Sequence, residues 1–171
     1  MSSNNRPPRD LNSLLSDIRV PSDIDRCHWT KAFREHLRSL HQPDNEALLD
    51  FCITANVLRL KGEEMKREKW RSKELTGERI ELLKQVGDSF FSENSRHQVA
   101  LSNAMLREEL VEALGGICEQ SGEKEVEEAY ALVWQARCDY KVWKGGLDRA
   151  YNAFLATKPS PGLTAVLLSI M

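Results

Sequence analysis

The sequence predicts an all-α domain, and three observations predict it. Apolar residues recur at i, i+3, i+4 and i+7 in almost every segment. No segment shows the sustained apolar/polar alternation of a half-buried strand. Pro, Gly, Asp, Asn and Ser fall where helix starts and stops are needed. With 171 residues, 41% hydrophobic and 29% charged, the chain fits one domain able to bury a core without metals or disulfides.

The elements follow in order. Residues 1–9 (MSSNNRPPR) read as a disordered leader. Leu11, Leu14, Leu15 and Ile18 then share a helical stripe, with Asp10 as the candidate N-cap. Val20-Pro21-Ser22-Asp23 breaks it. A second helix is expected over 29–40, with Trp29, Phe33, Leu37 and Leu40 on one face. Pro43-Asp44-Asn45 is a start signal with Asp44 as the expected cap. After it, EALLDFCITANVLRL (46–60) is apolar on nearly all sides and predicts the central buried helix. It is too long for a strand, and no turn signal divides it.

Residues 61–77 change character. Six Lys/Arg and four Glu surround Trp70, which predicts an exposed, partly helical insert. Helical spacing returns over 78–91 and stops at Ser92-Glu93-Asn94-Ser95. A loop is expected over 96–101. Ser102 or Asn103 should cap the next helix, with Leu106, Leu110 and Ala113 inside and Gly115-Gly116 as its end. A long helix over 124–140 follows. Gly145-Gly146 interrupts as a second C-cap, and a short helix carries Leu147, Ala150, Tyr151 and Phe154. The domain is expected to span 10–158. Residues 159–171 read as a linker and the start of a further helix, with Leu163, Val166, Leu167 and Ile170 on one stripe. That pattern has no closing signal, so the chain is expected to be part of a longer protein.

Composition narrows the function. A net charge of −2 gives no general electrostatic reason for nucleic-acid binding. Residues 1–10 lack the apolar core of a secretory signal, and no apolar run approaches the ~20 residues of a membrane span. Cys27, Cys52, Cys118 and Cys138 form no CxxC pair and predict reduced thiols in a cytoplasmic protein. Cys27-His28 with His36 and His41 is the nearest approach to a metal cluster, but the spacing is poor for zinc, and no metal or other cofactor is expected. No phosphate loop, GxSxG serine or nucleophilic cysteine motif is present, so no catalytic residue is assigned. Glu108, Glu109, Glu112, Glu119, Glu123, Glu125, Glu127 and Glu128 read as a solvated helix face, with an acidic docking surface as the rival. The cations Arg59, Lys61, Lys66, Arg67, Lys69, Arg71 and Lys73 are the candidate partner-binding set. Trp70 could serve there as a stacking platform for nucleic acid, but the interleaved glutamates weaken that reading.

The order of motifs carries a resemblance. Phe33-x-x-x-Leu37, Leu48-Leu49-Asp50-Phe51, a charged insert, FFSENSRHQVALS (90–102), EEAYALVW (127–134) and Tyr140-x-x-Trp143 together resemble the regulator of G-protein signalling (RGS) domain. Leu11-Asn12-Ser13-Leu14-Leu15 is similar to that family's first short helix. The resemblance covers most of 10–158. It implies about nine helices in two subdomains, one an antiparallel four-helix bundle.

The departures bear on activity. GTPase-accelerating RGS domains carry Glu-Asn before the LDF-like motif, where this chain has Ala47 and Leu48. The family's Asn after the FxS motif falls at Ala100, and its late Arg at Val142. Catalysis in that family works by positioning the Gα subunit's own groups, and alanine offers no side-chain hydrogen bond. The sequence is most similar to the axin branch, although the tryptophan that follows LLDF there is Cys52 here. That likeness implies a non-enzymatic scaffold that docks a helical peptide of an adenomatous polyposis coli-like partner in Wnt/β-catenin signalling. A GTPase activator for Gα is the alternative.

Overall fold

Among the described residues there are seven α-helices, fewer than the about nine the resemblance implies, with two 3₁₀ turns, two π turns and no strand. The computed structural model describes residues 6–16 and 18–157. The expected leader residues 1–5 and the expected helix over 163–171 lie outside the described residues.

Helix α1 (Leu11–Leu15) starts where Asp10 accepts the Ser13 N–H at 2.7 Å, the expected cap. Its Leu11, Leu14 and Leu15 are buried. The break at Val20 is a 3₁₀ turn (Pro21–Arg26), held by the Asp23 carboxylate, which accepts the N–H groups of Arg19 and Val20. Helix α2 (His28–Ser39) buries Phe33 and Leu37, and His41 turns the chain at a left-handed φ of 55°.

Helix α3 (Pro43–Arg67) is the 25-residue axis of the fold. Pro43 occupies its first turn, and Gln42, not Asp44, is the N-cap. Asp44 instead sits inside the first turn, where its charge faces the positive end of the helix dipole. Residues 51–58 are all buried, as the all-round apolar pattern predicts. Burial pushes the Cys52 thiol up to about 12.

The exposed insert expected over 61–77 is not a separate segment. Helix α3 runs through it to Arg67, a 3₁₀ turn (Lys69–Arg71) reverses the chain, and α4 (Ser72–Val86) begins at once. Lysine, arginine and glutamate are good helix formers, so a charged composition does not end a helix that nothing else stops. The helix expected over 78–91 therefore starts earlier. It gives way at Val86 to a π turn (Gly87–Phe91) that turns Phe90 and Phe91 onto Phe51, at ring distances of 5.6 and 5.4 Å.

Helix α5 (Ala104–Gly115) is capped by Asn103, which accepts the Leu106 N–H at 3.1 Å. Gly116 closes it without a left-handed φ. Helix α6 (Glu123–Arg137) ends three residues before the expected Tyr140. Gly145-Gly146 is not a C-cap but part of a π turn (Trp143–Leu147) that leads straight into α7 (Asp148–Thr157). A Cβ on Gly146 would lie 2.1 Å from the Lys141 carbonyl oxygen and 3.0 Å from a Leu48 methyl, so the glycine permits close packing of this turn on α3.

Helices α3, α4, α5 and α6 pack on one another, while α1, α2, α7 and the 3₁₀ turn at Pro21–Arg26 gather on the other side of α3. One apolar cluster runs from Leu11 to Phe154 through both groups. Two buried arginines cross it. Arg137 lies against the Trp143 ring at 3.5 Å and the Trp134 ring at 4.9 Å, and donates to the side chain of Asn12 in α1. Arg79 is 0% exposed, pairs with Glu127 at 2.5 Å and lies 5.2 Å over Tyr130.

Candidate functional site

The α3–α4 hairpin collects all seven candidate partner-binding cations, but it does not use them alike. Arg59 pairs with Glu63 at 2.9 Å and lies 5.9 Å over the Trp134 ring. Lys61 reaches across the hairpin to Glu78 at 2.9 Å. Arg71 is held by Glu64, Glu68 and Glu74, and the hydrogen bond to Glu74 leads the causes that raise its pKa. These three stiffen the hairpin. Lys66, Arg67, Lys69 and Lys73 are exposed and enter no ion pair among the described residues. They are the cations a partner meets first.

A cleft of about 360 Å³ lies beside the bend of the hairpin, between it and the start of α6. Gly62, Met65 and Lys66 contribute from α3, Lys69 from the bend, Ser72 from α4, and Glu123 and Glu127 from α6. The Ser72 hydroxyl bonds the Glu123 carboxylate across it. Apolar surface at Met65 is thus flanked by cations on one side and carboxylates on the other. The exposed tip beyond the cleft carries Trp70.

The middle of α3 is closed. Ala47, Leu49 and residues 51–58 are buried, so a peptide cannot lie along the whole length of this segment. The accessible surface lies at the two ends of the helix. At the N-terminal end, a second cleft of about 450 Å³ is lined by Pro43, Glu46, Ala47, Asp50, Thr54, Gln85, Ser89, Phe90, Arg96 and His97. Two of its carboxylates are already engaged, Asp50 by Arg34 and Glu46 by Arg38.

The four positions expected to be degenerate Gα contacts scatter in burial. Ala47 is 8% exposed and lines the second cleft. Leu48 packs toward Gly146. Val142 is 0% exposed, so its side chain meets the core and not a partner. Only Ala100 is fully on the surface. Its loop is pinned by Val99 N–H to Phe90 O at 2.9 Å and by Arg107, which donates to the Val99 carbonyl and the Gln98 side chain. None of these four side chains carries a polar group.

A polar joint anchors this loop from behind. The Asp139 carboxylate accepts from the Ser102 N–H at 3.0 Å, its hydroxyl at 2.7 Å and the Lys141 N–H at 2.9 Å. Burial alone would raise its pKa, but these donors outweigh burial and hold the carboxyl below the usual range. All eight glutamates of 108–128 are exposed, and Glu127 among them has the structural task of meeting Arg79. Among the described residues no three His, Cys, Asp or Glu side chains cluster as metal ligands, and no helix is long and apolar enough to cross a membrane.

The residues missed by pattern reading are Arg79, Arg137 and Asp139. The two arginines had a signal. Arg79 occupies the i+4 place after Leu75, with Leu82, Leu83 and Val86 following, and Arg137 follows Val126, Ala129 and Val133 on an inward stripe. A charge at an inward position announces a buried partner. Asp139 lies in a turn and gave no such signal. No protein-family model, curated protein or solved structure matches the chain.

Proposed function

We propose that this chain is a non-catalytic protein-interaction domain of the RGS kind, most similar to the axin branch. In this reading it docks a helical peptide of an adenomatous polyposis coli-like partner in cytoplasmic Wnt/β-catenin signalling. The observation that carries the docking role is the cleft beside the hairpin bend. It offers Met65 to an apolar helix face and Lys66 and Lys69 to acidic residues beside that face, a helix-in-groove arrangement. The mutual packing of α3, α4, α5 and α6 supports a four-helix bundle of the RGS type. The apolar side chains at Ala47, Leu48, Ala100 and Val142 support the absence of GTPase activation, since nothing there can position a Gα hydrogen bond.

The test has two arms. Anisotropy of a labelled acidic amphipathic helical peptide should report saturable binding, and Lys66→Glu/Arg67→Glu/Lys69→Glu should weaken it without changing the thermal melt. Single-turnover hydrolysis by Gα should be unaffected, also with Ala100→Asn. The alternative, a divergent GTPase activator, draws on the accessible cleft beside Ala47, where Arg96 and His97 stand at the rim. An acceleration of even about tenfold, small beside the ~10³–10⁵-fold reached by full GTPase activation, would establish that alternative.

A further inference from the structure

Trp70 is the most exposed of the large hydrophobic residues among those described, at 81%, and it stands at the apex of the α3–α4 hairpin. The Arg71 guanidinium lies 5.9 Å over its ring, which steadies an indole that otherwise touches little. Residues 66–73 hold five cations and one glutamate in a chain of net charge −2. Arg71 draws Glu64, Glu68 and Glu74 onto itself. The carboxylates are thereby gathered at one guanidinium, and Lys66, Arg67, Lys69 and Lys73 stay exposed around the indole.

We propose that this apex is a docking point for an anionic lipid bilayer, with the Trp70 indole entering the headgroup region and Arg67, Lys69 and Lys73 meeting lipid phosphates and carboxylates. Two features favour a bilayer over a protein groove. The bend of a hairpin is convex, and a bilayer surface accepts a projecting side chain without a complementary pocket. Tryptophan also partitions to the membrane–water interface, where its ring is apolar and its N–H stays wet. Basic residues beside it gain from the negative surface potential, about fivefold in partition per residue. No helix of the described residues spans a membrane, so the contact is peripheral and reversible. The proposal goes beyond the peptide-docking role and does not rest on it. Arg67, Trp70 and Lys73 lie outside the lining of the cleft beside the bend, and of the proposed lipid contacts Lys69 alone lines it.

Vesicle co-sedimentation of the full chain, with no peptide present, tests it. Binding is expected to vesicles one-third phosphatidylserine and not to pure phosphatidylcholine, and to fall as salt rises. Trp70→Ala should reduce the partition about tenfold, and Arg67→Glu/Lys73→Glu by at least about twenty-fivefold. All three residues are exposed, and unchanged thermal melts would show that the variants fold. A second readout is depth: brominated lipid should quench a fluorescence component that is missing in Trp70→Phe. Binding to both vesicle types, indifference to Trp70→Ala, or no quenching of Trp70 would overturn the proposal. So would apex-dependent binding of an acidic peptide or of single-stranded nucleic acid with none to vesicles. Loss of peptide binding in Lys66→Glu/Arg67→Glu/Lys69→Glu, with vesicle binding absent from the parent chain, would leave the docking reading standing and defeat this one.

Discussion

The guanidinium of Arg79 meets the carboxylate of Glu127 at 2.5 Å, and through that pair α4 is tied to α6 from inside the protein. Arg79 is fully enclosed, whereas Glu127 remains half in solvent. The Tyr130 ring and the Met65 sulfur complete the surroundings of the arginine. Removing the half-exposed carboxylate should therefore cost more than removing the enclosed arginine. Glu127→Ala is expected to destabilise by about 3 kcal/mol, because it strands a buried cation, and Arg79→Met by about 1 kcal/mol or less. Urea unfolding of the two variants checks the order. An inverted order would mean that the arginine is solvated from outside.

Leu49 and Phe51 are both 0% exposed on α3. Leu49→Ala and Phe51→Ala should each lose ~2–5 kcal/mol. Thermal melts giving less than about 0.5 kcal/mol for both would place the core elsewhere.

Gly146→Ala should destabilise by about 2 kcal/mol or more, since its Cβ would press on the Lys141 carbonyl and the Leu48 side chain. Gly77→Ala is the control. Nothing lies within 4 Å of a Cβ there, and alanine favours the helix by ~1 kcal/mol. Chemical denaturation should move the two variants in opposite directions.

The Asp139 carboxyl is held below its ordinary pKa, so its contribution is complete above the unfolded value of ~3.9 and is lost as pH falls through the folded value. Asp139→Asn should cost about 1–3 kcal/mol at neutral pH by weakening the bonds from Ser102 and Lys141. The difference from the parent should shrink below pH ~4. A pH series of urea midpoints reads both effects. A constant difference down to pH ~2 would show that the carboxylate charge contributes nothing.

At the alkaline end, burial pushes Cys52 and Tyr151 each up to about 12, with Asp10 adding to the effect on Tyr151. For both, the neutral form is the one the fold accepts. Their stabilisation is full below the unfolded values of ~8.5 and ~10 and declines as pH rises toward the folded ones. Cys52→Ala should flatten the loss of stability that the parent shows above pH ~8.5. Equal slopes in parent and variant would count against a protonated, enclosed thiol.

Much of the architecture was legible because it rests on local patterns. Asp10 and Asn103 cap as their side chains suggest, and the apolar run at 46–60 is the buried axis. What escaped depends on contacts distant in sequence. The charged stretch after residue 60 looked like an insert because its apolar residues thin out. Yet Lys61 is paired with Glu78, and Arg71 with Glu64, across a bend that no local rule announces. Gly145-Gly146 read as a helix end because glycine commonly ends helices, whereas a side chain at Gly146 is excluded by the Lys141 carbonyl of its own turn and by Leu48, nearly a hundred residues earlier. For the candidate site, the cations were visible as a set. Their division into engaged Arg59, Lys61 and Arg71 and available Lys66, Arg67, Lys69 and Lys73 required the positions of the glutamates. Val142 shows the opposite failure: a residue matched to a contact position lies wholly inside.

The Arg137 stack on Trp143 and Trp134 also receives Asn12, and Tyr151 donates to the Pro8 carbonyl at 2.5 Å. The opening and closing stretches of the domain are thus latched to each other and not merely to the middle. A five-residue helix such as α1 has little stability alone, so its order is borrowed from α2, from Thr30 and Asn56, which donate to the Leu14 and Leu15 carbonyls, and from Arg137, more than a hundred residues later. Fraying at either end releases both. Deleting residues 6–16 should accordingly loosen α7, and protease sensitivity would emerge at the far end of the chain from the cut.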